Sequence, residues 1–338
     1  MHNVKNMKRN MILIFFVTAI VLFFVLKDEF NQIVGEFAKV DIKYILIAVF
    51  FFFLSMFIRG YVNYKSVNNK KKISLMESFK HIVIVQFFNN VTPFSLGGQP
   101  MEIYMIQKHN IKTADATNIT IQNFIFYQLG LVIFGLIAVS YNYIYGVFPP
   151  GSLLKKLVLL GFIFNTFVVF MLFFIMLSKK FTDKVMHIIV FLCTKIRIVK
   201  NKEKTIDKWK IKLEEFHNGA KELRKRKALF VYGALLNVVS LGCLYLVPLF
   251  VMFSLGNFTD VNVMETLTAS AYIMIIASSI PIPGGTGGAE FGYLYFFGSF
   301  VKGPVLTTSL LIWRFITYYL GILVGGIALN FDKKGEGQ

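Results

Sequence analysis

The chain has 338 residues, of which 56% are hydrophobic and 16% charged, with 38 phenylalanines and a mean hydropathy of +0.62. This composition excludes a water-soluble domain of that size, a collagen-like chain and a disordered tail. Thirty-six Lys and Arg against 18 Asp and Glu leave a net charge of +18, while two cysteines, Cys193 and Cys243, are too few for a disulfide framework or a four-thiolate zinc site.

A bilayer core about 30 Å thick needs roughly 20 apolar residues per helix. In chain order such runs cover 10–26, 43–58, 117–142, 157–177, 228–253 and 305–329, which predicts six spanning helices. Two more apolar stretches, 74–107 and 265–300, are broken in the middle by Pro and Gly. The run 10–26 follows Lys5, Lys8 and Arg9 as a signal peptide would. Lys27, Asp28 and Glu29 come next without a small-residue cleavage site, so it reads as a retained span.

Cytoplasmic loops of membrane proteins hold the excess of Lys and Arg. With the N-terminus inside, the inner segments carry 29 basic residues and the outer ones 6, and Arg314 is left within the membrane. The split predicts a multi-pass protein with both termini cytoplasmic, and it accounts for the basic excess without nucleic acid. Residues 179–227, a cytoplasmic loop in this topology, hold 16 basic and 6 acidic residues. Within it Ile206, Trp209, Leu213, Phe216, Ala220 and Leu223 recur at helical spacing and form one apolar seam. The seam suits either a helix lying on anionic lipid, with Trp209 at headgroup depth, or a helical hairpin packed against the bundle.

The two broken stretches resemble each other. Residues 93–102 read PFSLGGQPME and residues 281–290 read PIPGGTGGAE, pairing Pro93 with Pro281, Gly97 with Gly285 and Glu102 with Glu290 at one offset of 188. NFIFYQLG at 123–130 then lies against RFITYYLG at 314–321, at offset 191. These matches predict a first repeat, 43–142, and a second, 228–329. By the charge count the hairpin 74–107 starts from the cytoplasm and the hairpin 265–300 from outside, so the repeats are inverted. Inverted repeats with membrane helices interrupted by Gly and Pro are the sequence pointer to transporters, with the site near the midplane.

Backbone that leaves a helix inside a bilayer must line water or be buried in protein. Two re-entrant hairpins turning at these motifs would aim half-helix N-termini at a common site, near Gln99 to Glu102 and near Gly287 to Glu290. Such N-termini suit a phosphate, and Gly97, Gly98, Gly284, Gly285, Gly287 and Gly288 would allow close approach. Pro93, Pro281 and Pro283 set the turns. Glu102, Glu290 and Arg314 are the ionisable residues placed at membrane depth, where each costs about 2.5–3.5 kcal/mol and so needs a partner or a substrate. Arg314 is expected to neutralise Glu290 or to hold an anionic headgroup; the glutamates serve substrate or cap the returning half-helices. Arg59 closes the run 43–58 and reads as a side chain snorkelling to the headgroups.

No GxxxxGK[ST] loop, HExxH pair, GxSxG elbow or GxGxxG fingerprint occurs, so neither a nucleotide nor another cofactor is expected. TPFSLGGQPMEIYMI at 92–106, IPIPGGTGGAEFGYLYFF at 280–297 and WRFITYYLG at 313–321 are similar to the motifs of the lysylphosphatidylglycerol synthase transmembrane region, a flippase-like membrane family. The resemblance spans nearly the whole chain. It implies a prokaryotic plasma-membrane protein that moves an aminoacylated phospholipid between leaflets, in a family associated with antibiotic resistance. Longer relatives add a cytosolic domain that makes the lipid. Here only FDKKGEGQ follows Asn330, so that activity is expected to require a separate synthase.

The sequence therefore predicts an all-α polytopic protein of six spans and two opposed hairpins, translocating a phospholipid with an anionic or aminoacylated headgroup. Phosphatidylglycerol lysyl transfer, a polyprenyl-phosphate carrier and a membrane scaffold stand as alternatives.

Overall fold

The computed structural model describes residues 30–68, 70–148, 153–195, 206, 209–210, 213–218, 220–221, 225–278 and 280–334. The predicted span 10–26 lies outside them. All regular elements among the described residues are helical. Five helical stretches, 42–67, 113–145, 156–177, 227–254 and 304–332, are long and apolar enough to cross a membrane. They coincide with the other five predicted spans.

Helix α1 (Phe30–Phe37) leads to α2 (Ile42–Val67), which starts where the Asp41 carboxylate accepts from the Lys43 N–H. The apolar run predicted only 43–58, yet α2 continues for eight residues beyond Arg59. The continuation is helical because Ser55, Arg59, Asn63 and Ser66 put their polar groups on one face, and that face is turned inward: Ser55, Asn63 and Ser66 are buried. Helix α3 (Leu75–Val91) opens on a capping box between Ser74 and Glu77. A 3-10 turn at Pro93–Ser95 follows, and α4 (Gly98–Gln107) returns beside α3. At the open end of this hairpin the His81 and His109 rings meet, Nε2 to Nε2 at 3.2 Å.

Helix α5 (Thr113–Tyr145) stops at Gly146, whose φ of 63° is the usual left-handed helix end. Helices α6 (Leu153–Leu177) and α7 (Lys179–Lys195) come next. In the basic loop, Phe216 and Ala220 of the predicted seam are buried, and the Phe216 carbonyl accepts from Asn118 Nδ2 of α5 at 2.9 Å. That part of the seam thus packs on the bundle, while Trp209 is exposed. The stretch 228–253 is two helices, α8 (Lys227–Tyr245) and α9 (Val247–Ser254), because Pro248 can donate no hydrogen bond to the preceding turn.

Helix α10 (Val263–Ser278), a 3-10 turn at Pro283–Gly285 and α11 (Gly288–Phe297) form the second hairpin. Helix α12 (Pro304–Arg314) passes through a π-helical turn, Phe315–Tyr319, into α13 (Leu320–Lys334). In both hairpins the returning helix has 10 residues, a rise of about 15 Å against the roughly 30 Å of a hydrocarbon core. The two turns touch each other.

The main apolar core surrounds the second hairpin, where Tyr272, Ile273, Tyr293, Phe296 and Phe297 pack with Leu131 and Phe134 of α5. A second cluster joins α2, α3, α9 and α12 through Phe52, Met56, Ile82, Val251 and Ile312. Helix α6 presents Leu159, Leu160, Ile163, Phe164, Phe167 and Phe170 outward. An exposed apolar face of that extent belongs in lipid.

Candidate functional site between the hairpin turns

The two turns share a backbone conformation. Phe94 and Ser95 both have φ of 54°, and Gly284 and Gly285 have 65° and 61°. Pro93 opens the first turn and Pro283 the second, and the returning helices start at Gly98 and Gly288. Both intervals are 190 residues. Pro93 therefore corresponds in the backbone to Pro283, and the ungapped pairing with Pro281 is corrected by two residues. As a consequence Glu290 is the third residue of α11 and its Oε2 accepts from the Gly287 N–H at 2.7 Å, a helix cap. Glu102 is the fifth residue of α4, too far along to cap.

Each glutamate meets the residue that opens the next matched segment. Glu102 Oε1 accepts from Asn123 Nδ2 at 2.8 Å, and Glu290 Oε1 lies 2.7 Å from Arg314 Nε. Asn123 and Arg314 are the 191-offset pair. The Glu290–Arg314 pair is buried on both sides, with side-chain exposures of 4% and 8%. Arg314 Nη1 also donates to the Gly284 carbonyl at 3.2 Å. The Nε–H is not aligned on the carboxylate and Nη2 has no acceptor among the described residues, so the contact with Glu290 is mainly one of charge. The guanidinium lies 5.4 Å from the Tyr318 ring centroid and 5.2 Å from that of Trp313.

A second arginine joins the site. Arg59, predicted to snorkel, sits about 12 Å along α2 from its C-terminal end and lies 5.4 Å from the Tyr127 ring centroid. It donates to Gln86 Oε1 at 3.0 Å, and Gln86 Nε2 donates to Asn90 Oδ1 at 2.8 Å. Asn90 Nδ2 donates to the Tyr318 carbonyl at 3.1 Å, and the Tyr318 hydroxyl donates back to the Asn90 carbonyl at 3.2 Å. A hydrogen-bonded chain thus runs from Arg59 through the first hairpin to Tyr318, in the π-helical turn that follows Arg314. A second network converges on Asn123, which also donates to Asn63 Oδ1 and accepts from Ser66 Oγ.

These groups surround a cavity of about 610 Å³. Its walls include Arg59, Gln86, Asn89, Asn90, Gln99, Glu102, Asn123, Tyr127, Gly284, Gly285, Arg314 and Tyr318, with apolar groups of α6 on one side. Asn89 Oδ1 and Gln99 Oε1 are buried without hydrogen-bond partners among the described residues, Asn89 being packed against Gly98. Exposed Phe94, Leu96 and Phe164 are also on its wall, which makes that flank of the cavity apolar and open at the protein surface. A smaller cavity of about 320 Å³ is lined by Phe37, Glu290, Leu311, Ile312, Arg314, Phe315 and Tyr319.

Of the sequence-predicted residues, Gln99, Glu102, Gly284, Gly285 and Arg314 line the larger cavity and Glu290 the smaller. Pro93, Gly97, Gly98, Pro281, Pro283, Gly287 and Gly288 shape the turns without lining either. Gly98 and Gly288 serve close packing within their own hairpins, since an added Cβ would overlap Asn89 and Ile280 respectively. At Gly284 a Cβ would overlap the Tyr318 ring. Arg59, Gln86, Asn123, Tyr127 and Tyr318 are site residues that sequence reasoning missed. The inward polar face of α2 at Ser55, Arg59, Asn63 and Ser66 was the available signal for the first.

The family model described as the lysylphosphatidylglycerol synthase TM region matches residues 11–325, and the chain belongs to that family. A UPF0104 membrane protein of Archaeoglobus fulgidus is 24% identical over 267 residues, which is 77% of each chain. An uncharacterized protein MG306 homolog of Mycoplasma pneumoniae is 25% identical over 265 residues, 70% of this chain and 64% of that one. Neither relative's name states an activity.

Proposed function

Starting from membership in the lysylphosphatidylglycerol synthase transmembrane family, we propose that this chain moves a phospholipid with an anionic or aminoacylated headgroup between leaflets of a prokaryotic plasma membrane. The observation that carries the reading is the larger cavity, whose wall holds Arg59 and Arg314 from opposite halves of the chain together with residues of both turns. An arginine pair suits a phosphodiester, because each guanidinium offers planar, charge-assisted donors. Glu102, held by the neutral amide of Asn123, leaves a carboxylate for the ammonium of an aminoacyl group.

In this reading the hairpins are re-entrant, the halves are inverted repeats and both termini are cytoplasmic. The matching turns and the matching Glu102–Asn123 and Glu290–Arg314 contacts support it. The headgroup enters between the turn residues Phe94 and Leu96 and the α6 residue Phe164, and the acyl chains stay in lipid beside the exposed face of α6. No nucleotide is used, and the lipid would be supplied by a separate synthase.

The test is exchange of a fluorescent phosphatidylglycerol analogue in reconstituted vesicles. Arg59→Gln and Arg314→Lys should each slow exchange at least about tenfold, as loss of a charge-assisted contact worth about 1.5–3 kcal/mol requires. Rates equal to the unmodified protein's would overturn the site.

A further inference from the structure

Helix α7 leaves the spanning helix α6 at a tight corner. Ser178 alone separates the two, and its carbonyl accepts from the Thr182 N–H at 3.0 Å while its hydroxyl accepts from the Phe181 N–H at 3.3 Å. The Thr182 hydroxyl reaches back to the Ile175 carbonyl at 2.8 Å. A corner bonded in this way starts α7 at the membrane end of α6, with no loose linker between them.

The faces of α7 differ. Thr182, Met186 and Val190 recur at every fourth residue and are buried. Lys180, Lys184, Ile188 and Phe191 fall on the opposite face and are exposed, the two apolar ones at 50% and 56%. Phe181 borders that exposed face, and its ring centroid lies 5.6 Å from that of Phe174. Phe174 in turn belongs to the outward apolar row of α6, with Phe167 and Phe170. The exposed face of α7 therefore continues the lipid-facing side of α6. Its one acidic residue, Asp183, is half-buried and lies off that face.

We infer that the exposed face of α7 docks on the anionic lipid surface at which α6 ends, with Ile188 and Phe191 below the headgroups and Lys180 and Lys184 reaching their phosphates. Interleaved lysines and large apolar side chains on one face are the chemistry of an interfacial helix. A nucleic acid would satisfy the lysines and leave Ile188 and Phe191 in water. The surrounding segment 179–227, with 16 basic and 6 acidic residues, adds attraction of the same sign. The inference holds whether or not the chain moves lipid.

The experiment uses the full chain carrying Phe191→Trp, reconstituted in phosphatidylcholine bilayers with and without phosphatidylglycerol, all with brominated acyl chains. Fluorescence of the introduced indole is read as the difference from the unmodified protein. Quenching should be stronger in the bilayer with phosphatidylglycerol. There, replacing Lys180 and Lys184 together by Gln should lower the ratio of docked to undocked α7 by about 25-fold, about fivefold for each lysine at an anionic surface. The extra quenching should disappear near 1 M salt, where the Debye length is about 3 Å. Phe167→Trp, on the lipid face of α6, should be quenched equally in both bilayers. Ile188→Trp should behave as Phe191→Trp does, and supplies the readout where Phe191→Trp fails to fold. Equal quenching with and without phosphatidylglycerol, indifference to the paired Gln substitutions, or no quenching in either bilayer overturns the proposal. An emission shift caused by added transfer RNA, with no quenching by the brominated lipid, also overturns it and assigns the face to nucleic acid.

Discussion

In the second hairpin, α11 buries Ala289, Gly292, Tyr293, Phe296 and Phe297 in the main core, and its Glu290 faces a full positive charge. The first hairpin has the same turn conformation and the same helix length, yet α4 buries only Gly98, Glu102, Met105 and Ile106, and its glutamate faces a neutral amide. Between membrane helices, stability comes from close packing and polar contacts rather than from removal of apolar surface from water. On that measure α11 is held firmly and α4 less so, while the first hairpin is anchored chiefly through α3, which packs on α2 and α13. The first half carries its arginine on α2 instead of at the α5 position of Asn123: Arg59 lines the larger cavity with Glu102 and acts on that carboxylate through space, without a direct ion pair. One half thus holds its arginine in a direct ion pair, and the other holds it through the neutral amide of Gln86.

The strongest way to break this contrast is to remove the stored charge. Arg314→Met leaves Glu290 buried without a counter-charge, and the expected loss of stability is about 3–5 kcal/mol. Adding Glu290→Gln to Arg314→Met should recover most of that loss, since a neutral amide needs no counter-charge. Denaturant unfolding in mild detergent measures both. A double variant as unstable as the single one would mean that packing, and not charge, sets the cost at this position.

The turns give the next largest effect. Gly284 combines φ of 65° with contact against the Tyr318 ring, so Gly284→Ala should cost about 2–4 kcal/mol from left-handed backbone strain and overpacking. Ser95 holds a similar φ of 54° without being a glycine. Ser95→Gly should therefore stabilise the chain by about 1 kcal/mol. The pair of substitutions, read by the same unfolding measurement, should move in opposite directions; movement in the same direction would mean that the two turns are not conformational equivalents.

Much of this was legible in the sequence because the bilayer makes the rules severe. Apolar runs of about 20 residues mark spans, Pro and Gly inside such runs mark the turns, and two opposite charges in apolar surroundings, Glu290 and Arg314, are driven to pair. Other features carry no such penalty. Asn123 is a neutral amide that joins a network as readily as it idles in a helix, so nothing in its spacing named it. Arg59 was misplaced because hydropathy falls after residue 58 while the helix continues; the polar face that sustains it reads as a loop when only apolar length is counted. The two-residue shift between Pro281 and Pro283 was hidden because the glutamates align better without it than with it.

The smallest effect lies at the open end of the first hairpin, where the charges are part-exposed. Asp332 at the end of α13 accepts from Lys80 of α3 at 2.7 Å and also pairs with Lys108, just after α4. The three side chains are 14–35% exposed, so solvent screens them and each contact contributes at most about 1 kcal/mol. Asp332→Asn keeps an acceptor but loses the charge, and should cost about 1 kcal/mol or less. The cost should vanish near 1 M salt, where the Debye length falls to about 3 Å, whereas the cost of Arg314→Met should persist because that pair is shielded from ions. Equal salt sensitivity at the two positions would erase the distinction between the screened charges at the end of the first hairpin and the buried pair of the second.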